Sequence, residues 1–141
     1  MANMRDVEKL VLSMPEARKE LRDDDRSAFV VDRKLFCFHR TQRQDAVDFT
    51  TGERLDDVLV FRVADEAMKA MWLIERPNVY FTTDHFDGHP WILLRIRSLV
   101  EVGAGELSEL VADAWLARAP KRLAKRWLED QGLDEQGLRS E

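Results

Sequence analysis

The stretch "DVLVFRVADEAMKAMWLIERPNVYFTTDHFDGHPWILLRI", residues 57–96, decides the fold, because its hydrophobic period changes along its length. Residues 57–63 are rich in Val, Leu and Phe, as expected of a strand that packs on a pleated surface. Ala64, Ala67, Met68, Met71 and Trp72 then recur at three and four, which predicts a helix over 65–75. Asp65 and Glu66 at its start suit the positive end of the helix dipole, and Pro77 ends it. Residues 79–82 and 91–97 read as strands around a polar loop. In the second, Ile92, Leu94 and Ile96 share one face, while Trp91, Leu93, Arg95 and Arg97 share the other. Unlike faces define a sheet packed on one side and at least partly wet on the other.

Outward from this stretch the same rules apply. Met4, Val7, Leu10, Val11 and Met14 make one apolar stripe, so 6–13 is expected to be helical until Pro15 stops it. Residues 16–26 show no apolar period beyond Leu21 and are expected to be a connection, extended in part. Residues 28–31 and 34–39 flank the compact Asp32-Arg33 turn and read as a β-hairpin. Residues 40–45 read as a loop, and Thr50, Thr51 and Gly52 as a turn. Beyond Gly103 and Gly105, Leu107, Leu110, Val111, Ala114 and Trp115 form a helical stripe. Pro120 opens a further short helix with Leu123, Trp127 and Leu128 on one face. The expected order is α-β-β-β-α-β-β-α plus that short helix. Strands joined by short polar turns pair antiparallel, and helices with single stripes cover one face of the sheet. The expected class is therefore α+β, one domain over 1–131, with a flexible tail over 132–141.

The bulk numbers fit. A chain of 141 residues with 45% hydrophobic and 35% charged residues can bury a core without staples. A single cysteine, Cys37, excludes an intramolecular disulfide and suits a reducing cytoplasm. The N-terminus has no signal-peptide core, and no apolar run nears the roughly 20 residues of a membrane helix. The net charge of −5 opposes non-specific nucleic-acid binding at long range unless cations segregate on one surface.

Three segments carry a family resemblance: "LFCFHR" at 35–40, "YFTTDHFDGHPWILLRI" at 80–96 with His89 shortly before Trp91, and "ELVADAWLARAPKRLAKRW" at 109–127. Taken in order, they resemble the MmcQ/YjbR-like family over nearly the whole chain to about Leu128. The resemblance implies a compact α+β sandwich of the double-wing type, similar to frataxin-like (CyaY-like) proteins. It also implies a DNA-binding role by structural analogy, and it supplies no catalytic residues.

Asp84, His85, Asp87 and His89 sit within the hairpin loop. His85 and His89 would converge on a helix, but Gly88 and Pro90 oppose one, and the composition is that of a turn. A ligand contact by His85, His89, Trp91 and Arg95 is the sharper reading of this region. An acid–base pair of His85 or His89 with Asp84 or Asp87 is the remote one.

"RAPKRLAKR", 118–126, holds five basic residues and no acid. Lys121, Arg122, Lys125 and Arg126 fall on one helical face, opposite Leu123 and Trp127. A solvated face explains this, and so does an anionic partner. Arg33, Lys34, Arg40 and Arg43 would extend that surface if the fold gathers them, with the clusters at 23–25, 56–57 and 134–135 lying elsewhere. Trp72, Trp115 and Trp127 belong to apolar stripes and read as core, and Cys37 between Phe36 and Phe38 reads as a buried hydrophobe.

There is no glycine-rich phosphate loop, nucleophile elbow or zinc spacing, so no catalytic residue, cofactor or metal is expected. The expected function is a non-catalytic cytoplasmic binding domain that contacts DNA through Arg33, Lys34, Arg40, Arg43, Lys121, Arg122, Lys125 and Arg126. The alternative is a small-molecule or protein-binding module using a cleft beside the 80–96 hairpin. No membrane partner is expected.

Overall fold

The computed structural model describes residues 2–21, 26–40 and 57–132. Helix α1, Met4–Ser13, starts at a capping box: Asn3 Oδ1 accepts from Asp6 N, and Asp6 Oδ2 accepts from Asn3 N, both at 3.0 Å. The chain after Pro15 passes through Glu16 at φ 58 and enters β1, Arg18–Leu21, inside the segment expected to be a connection. Its four residues are all exposed, so periodicity could not reveal it; only its pairing with β2, Ser27–Val31, makes it a strand. Asp32 and Arg33, at φ 51 and 64, turn β2 into β3, Lys34–His39, as a primed hairpin turn requires. Then follow β4, Val58–Arg62, and α2, Glu66–Glu75, the latter capped by Asp65 accepting from Met68 N at 2.9 Å. Strands β5, Tyr80–Phe81, and β6, Trp91–Arg95, precede α3, Ala104–Arg118, and α4, Lys121–Asp130.

The six strands form one antiparallel sheet in the order β1-β2-β3-β4-β6-β5. The helix-side core joins Phe29, Phe36, Cys37, Leu59, Phe61, Ile92 and Leu94 from the sheet to Val7, Val11, Trp72, Leu110 and Trp115 from the helices. Burying each such Phe or Leu stabilises the fold by roughly 1.5–3 kcal/mol. A bulge serves this core: Phe29 pairs with Cys37 but Val30 with Leu35, so Phe36 is the extra residue and joins Cys37 in the core. Trp115 Nε1 donates to Pro15 O at 3.0 Å, tying α3 to the segment after α1.

The α+β antiparallel architecture agrees with the sequence reading; one local expectation does not survive. The last strand ends at Arg95 rather than 97: Arg95 pairs with Val58, the first residue of β4, and Ile96 N makes one further bond to Asp57 O at 2.7 Å before the chain turns. The chain turns into a 3-10 helix, Ile96–Glu101, that sends Leu99 into the core and takes Arg97 off the strand face. The opposite face of the sheet is partly wet, with Arg62, Trp91 and Arg95 half-buried on it, and it also carries an apolar patch. Val58, Val60 and Leu93 form a second apolar cluster with Phe86, flanked by Phe38, Phe81 and Trp91. No described helix is long and apolar enough to cross a membrane.

Candidate nucleic-acid interface

The hairpin loop is a built structural element. It begins with a 3-10 turn, Asp84–Phe86, and reverses at Gly88, whose φ of 77 favours glycine. Phe86 turns inward, 8% exposed, onto the second apolar cluster. Lys69 of α2 secures the loop: its Nζ donates to Phe86 O at 2.7 Å and His89 O at 2.8 Å, and the residue is only 4% exposed. Burial pushes the Lys69 amine down, against the pull of Glu66 and Asp87. The histidines are peripheral to this arrangement. His85 and His89 are exposed, His85 lies edge-on to Phe86, and His89 contributes its backbone carbonyl. Among the described residues no three of the His, Cys, Asp and Glu side chains gather as metal ligands.

Trp91 and Arg95, expected as ligand contacts, are engaged within the protein. Trp91 packs at 5.7 Å on Phe38 and lies under the Arg62 guanidinium, 5.5 Å from its ring centre. Arg95 Nε pairs with Asp57 Oδ1 at 3.0 Å. Arg40, expected on the basic surface, is 4% exposed with its guanidinium 4.9 Å from the Phe86 ring centre. It follows Phe38 by two residues and so points to the same face of the sheet, toward the second apolar cluster. Arg43 lies outside the described residues. Cys37 is fully buried, and burial pushes its thiol far up, which fits a hydrophobe and not a nucleophile.

The remaining cations do gather in part. Strands β3 and β4 run antiparallel, so Arg33 and Lys34 at the start of β3 and Arg62 at the end of β4 share one end of the sheet. Helix α3 packs on β3 and β4 and delivers Arg118 to that end, close enough for its charge, after burial, to push the Arg62 guanidinium down. Arg118 Nε is buried with no acceptor among the described residues. From there α4 starts at Pro120, with no side chain capping its first turn. Leu123 and Leu128 are buried, Trp127 packs on Trp115 at 5.7 Å, and Lys121, Arg122, Lys125 and Arg126 all face solvent. None of these four, nor Arg33, Lys34 or Arg118, makes an ion pair among the described residues. Acids at the same end are partly occupied: Asp65 caps α2, and Glu66 and Asp87 act on Lys69.

Arg62 and Lys69 escaped the sequence reading. Arg62 alternates with Val58 and Val60 and falls opposite Trp91 in the ladder, a register that no single strand reveals. Lys69 sits inside an apolar helical stripe, where a lone lysine is the available signal.

These features define a small antiparallel-sheet domain with helices on one face and a cationic end. The chain belongs to the YjbR family, whose family model matches residues 12–117. It is 35% identical over 136 residues to uncharacterised proteins of Mycobacterium tuberculosis and Mycobacterium bovis, covering 94% of this chain and 100% of theirs. It is also similar in fold to a crystal structure of a Deinococcus radiodurans protein with a DUF419 domain. There the TM-score is 0.59 and the identity 19%, over 97% of this chain and 95% of that one.

Proposed function

We propose that the protein is a non-catalytic cytoplasmic domain that binds nucleic acid through the phosphate backbone. Its contacts would be Lys121, Arg122, Lys125 and Arg126 on α4, extended by Arg118, Arg62, Arg33 and Lys34. The observation that carries this is the exposed face of α4, four cations that make no ion pair among the described residues, above a buried apolar face. Uncompensated charges on a rigid helix cost little to bring to phosphates, whereas paired ones must first give up their partners. The contact is with phosphates rather than base edges, since α4 is anchored by Leu123 and Leu128 on its inner side and presents flexible cations outward. Arg40 has no part in this surface.

The test is fluorescence anisotropy of a labelled duplex against salt. About four phosphate contacts predict a log–log slope of about −4, a loss of roughly a hundredfold in affinity over a fourfold rise in salt. Absence of binding at micromolar protein in low salt, or binding insensitive to salt, overturns the proposal.

A further inference from the structure

A groove of about 370 Å³ lies between α2 and α3, lined by Met71, Trp72 and Glu75 of α2, its C-cap residue Arg76, and Glu106 and Glu109 of α3. We propose that this groove binds a small organic amine carrying a hydroxyl or carbonyl oxygen beside its ammonium group, an amino alcohol or an amino sugar.

Two hydrogen-bond donors of its lining residues lack acceptors among the described residues. Trp72 is 4% exposed, yet its indole N–H finds no partner there, and the same holds for the buried Nε–H of Arg76. Arg76 follows α2 directly as its C-cap residue, four positions after Trp72. A buried N–H without an acceptor costs about 1–3 kcal/mol; both nitrogens lie behind the present groove surface, and a ligand oxygen recovers that cost once the wall shifts to admit it. The donors are held in position. Trp72 packs edge-on to Tyr80 at 5.2 Å. Arg76 Nη2 donates to Glu101 O at 2.6 Å and stands 3.6 Å from Glu106 Oε1, while Glu106 Oε2 accepts from the Tyr80 hydroxyl at 2.5 Å. The Glu106 carboxylate is therefore engaged on both oxygens and does not turn to the orphan N–H groups.

The charge of the groove selects the rest of the ligand. Glu75, Glu106 and Glu109 outnumber the single cation Arg76, so an oxyanion is repelled and an ammonium is favoured. Glu75 and Glu109 are exposed at the rim and make no ion pair among the described residues, which leaves them to receive it. The three glutamates do not converge as metal ligands, so an organic cation fits where a metal ion does not. Met71 and the Trp72 ring supply the apolar side that a carbon skeleton needs.

The experiment reads the tryptophan indole signals in ¹H–¹⁵N spectra of the full chain. The Trp72 signal is assigned by its loss in Trp72→Phe. Ethanolamine and D-glucosamine are titrated to millimolar levels, with ethylene glycol, glucose and ethylamine as controls. The expected result is a saturable shift of the Trp72 indole with the two amino compounds alone. In Glu75→Gln and Glu109→Gln, both surface changes, the dissociation constant rises by about tenfold each. No shift, an equal shift with glucose or ethylamine, or unchanged affinity in both variants overturns the proposal. The salt-dependent DNA measurement is unaffected by either outcome.

Discussion

Asp113 lies one turn beyond Glu109 on α3, and burial first, then the Glu109 charge, raise its pKa from 3.8 to about 6. The folded protein therefore holds this proton more tightly than the unfolded chain. Its stabilising effect is complete below the unfolded value of 3.8 and is lost as pH rises through about 6. The rise from 3.8 to about 6 corresponds to about 3 kcal/mol for a carboxyl shielded from solvent. The carboxyl is only partly buried, and solvent screening reduces the expected effect to about 1–2 kcal/mol. Asp113→Asn removes the ionisation, so above about pH 7 it stabilises the fold by that amount, and below about pH 4 it changes little. Urea unfolding followed by tryptophan fluorescence measures both. With a slope of about 1–2 kcal/mol per molar for a chain this size, the midpoint rises by about 1 M at the higher pH. Glu109→Gln shrinks the difference by removing the second cause. An Asp113→Asn effect that is constant across the pH range, or destabilising at neutral pH, refutes this account.

Lys69→Met keeps the stem but leaves Phe86 O and His89 O without their donor. It lowers stability by about 1–2 kcal/mol and speeds hydrogen exchange in residues 84–91, measured by mass spectrometry. Neutralising Lys121, Arg122, Lys125 and Arg126 together to Gln flattens the salt dependence of duplex binding by about 3–4 in slope, read by anisotropy, with thermal stability near wild type. Arg40→Gln leaves that slope unchanged but destabilises the fold, since the buried guanidinium packs on Phe86. Cys37 resists alkylation in the native protein and reacts in denaturant, as a thiol assay will show.

The strands and helices that bury one face were legible, because period alone reports a face. The stripe through Trp115 is an example, while Val58 to Phe61, buried on both faces, was legible from its Val, Leu and Phe content instead. What stayed hidden depends on pairing between distant segments. The exposed strand β1 carries no alternation, and the end of β6 is set by where β4 begins. The same limit applies to the site. The cationic face of α4 was readable from its own spacing. Arg40, by contrast, looked like part of a basic loop until Phe86 came to lie beside it from a segment far along the chain. The groove between α2 and α3 was invisible for the same reason: its orphan donors sit on α2 and its C-cap residue, and its carboxylates mostly on α3.

Among the described residues the sheet is open at both sides, and its margins are a four-residue strand, Arg-Lys-Glu-Leu, and a two-residue one, Tyr80–Phe81. Lys19 of the first is paired with Glu8 at 2.7 Å, so the margin keeps its charges in place. A second molecule trying to continue the ladder there would meet a short, charged border on one side and almost no border on the other. The protein is thus guarded against strand-by-strand stacking into fibres, and crowded solutions of it should stay clear.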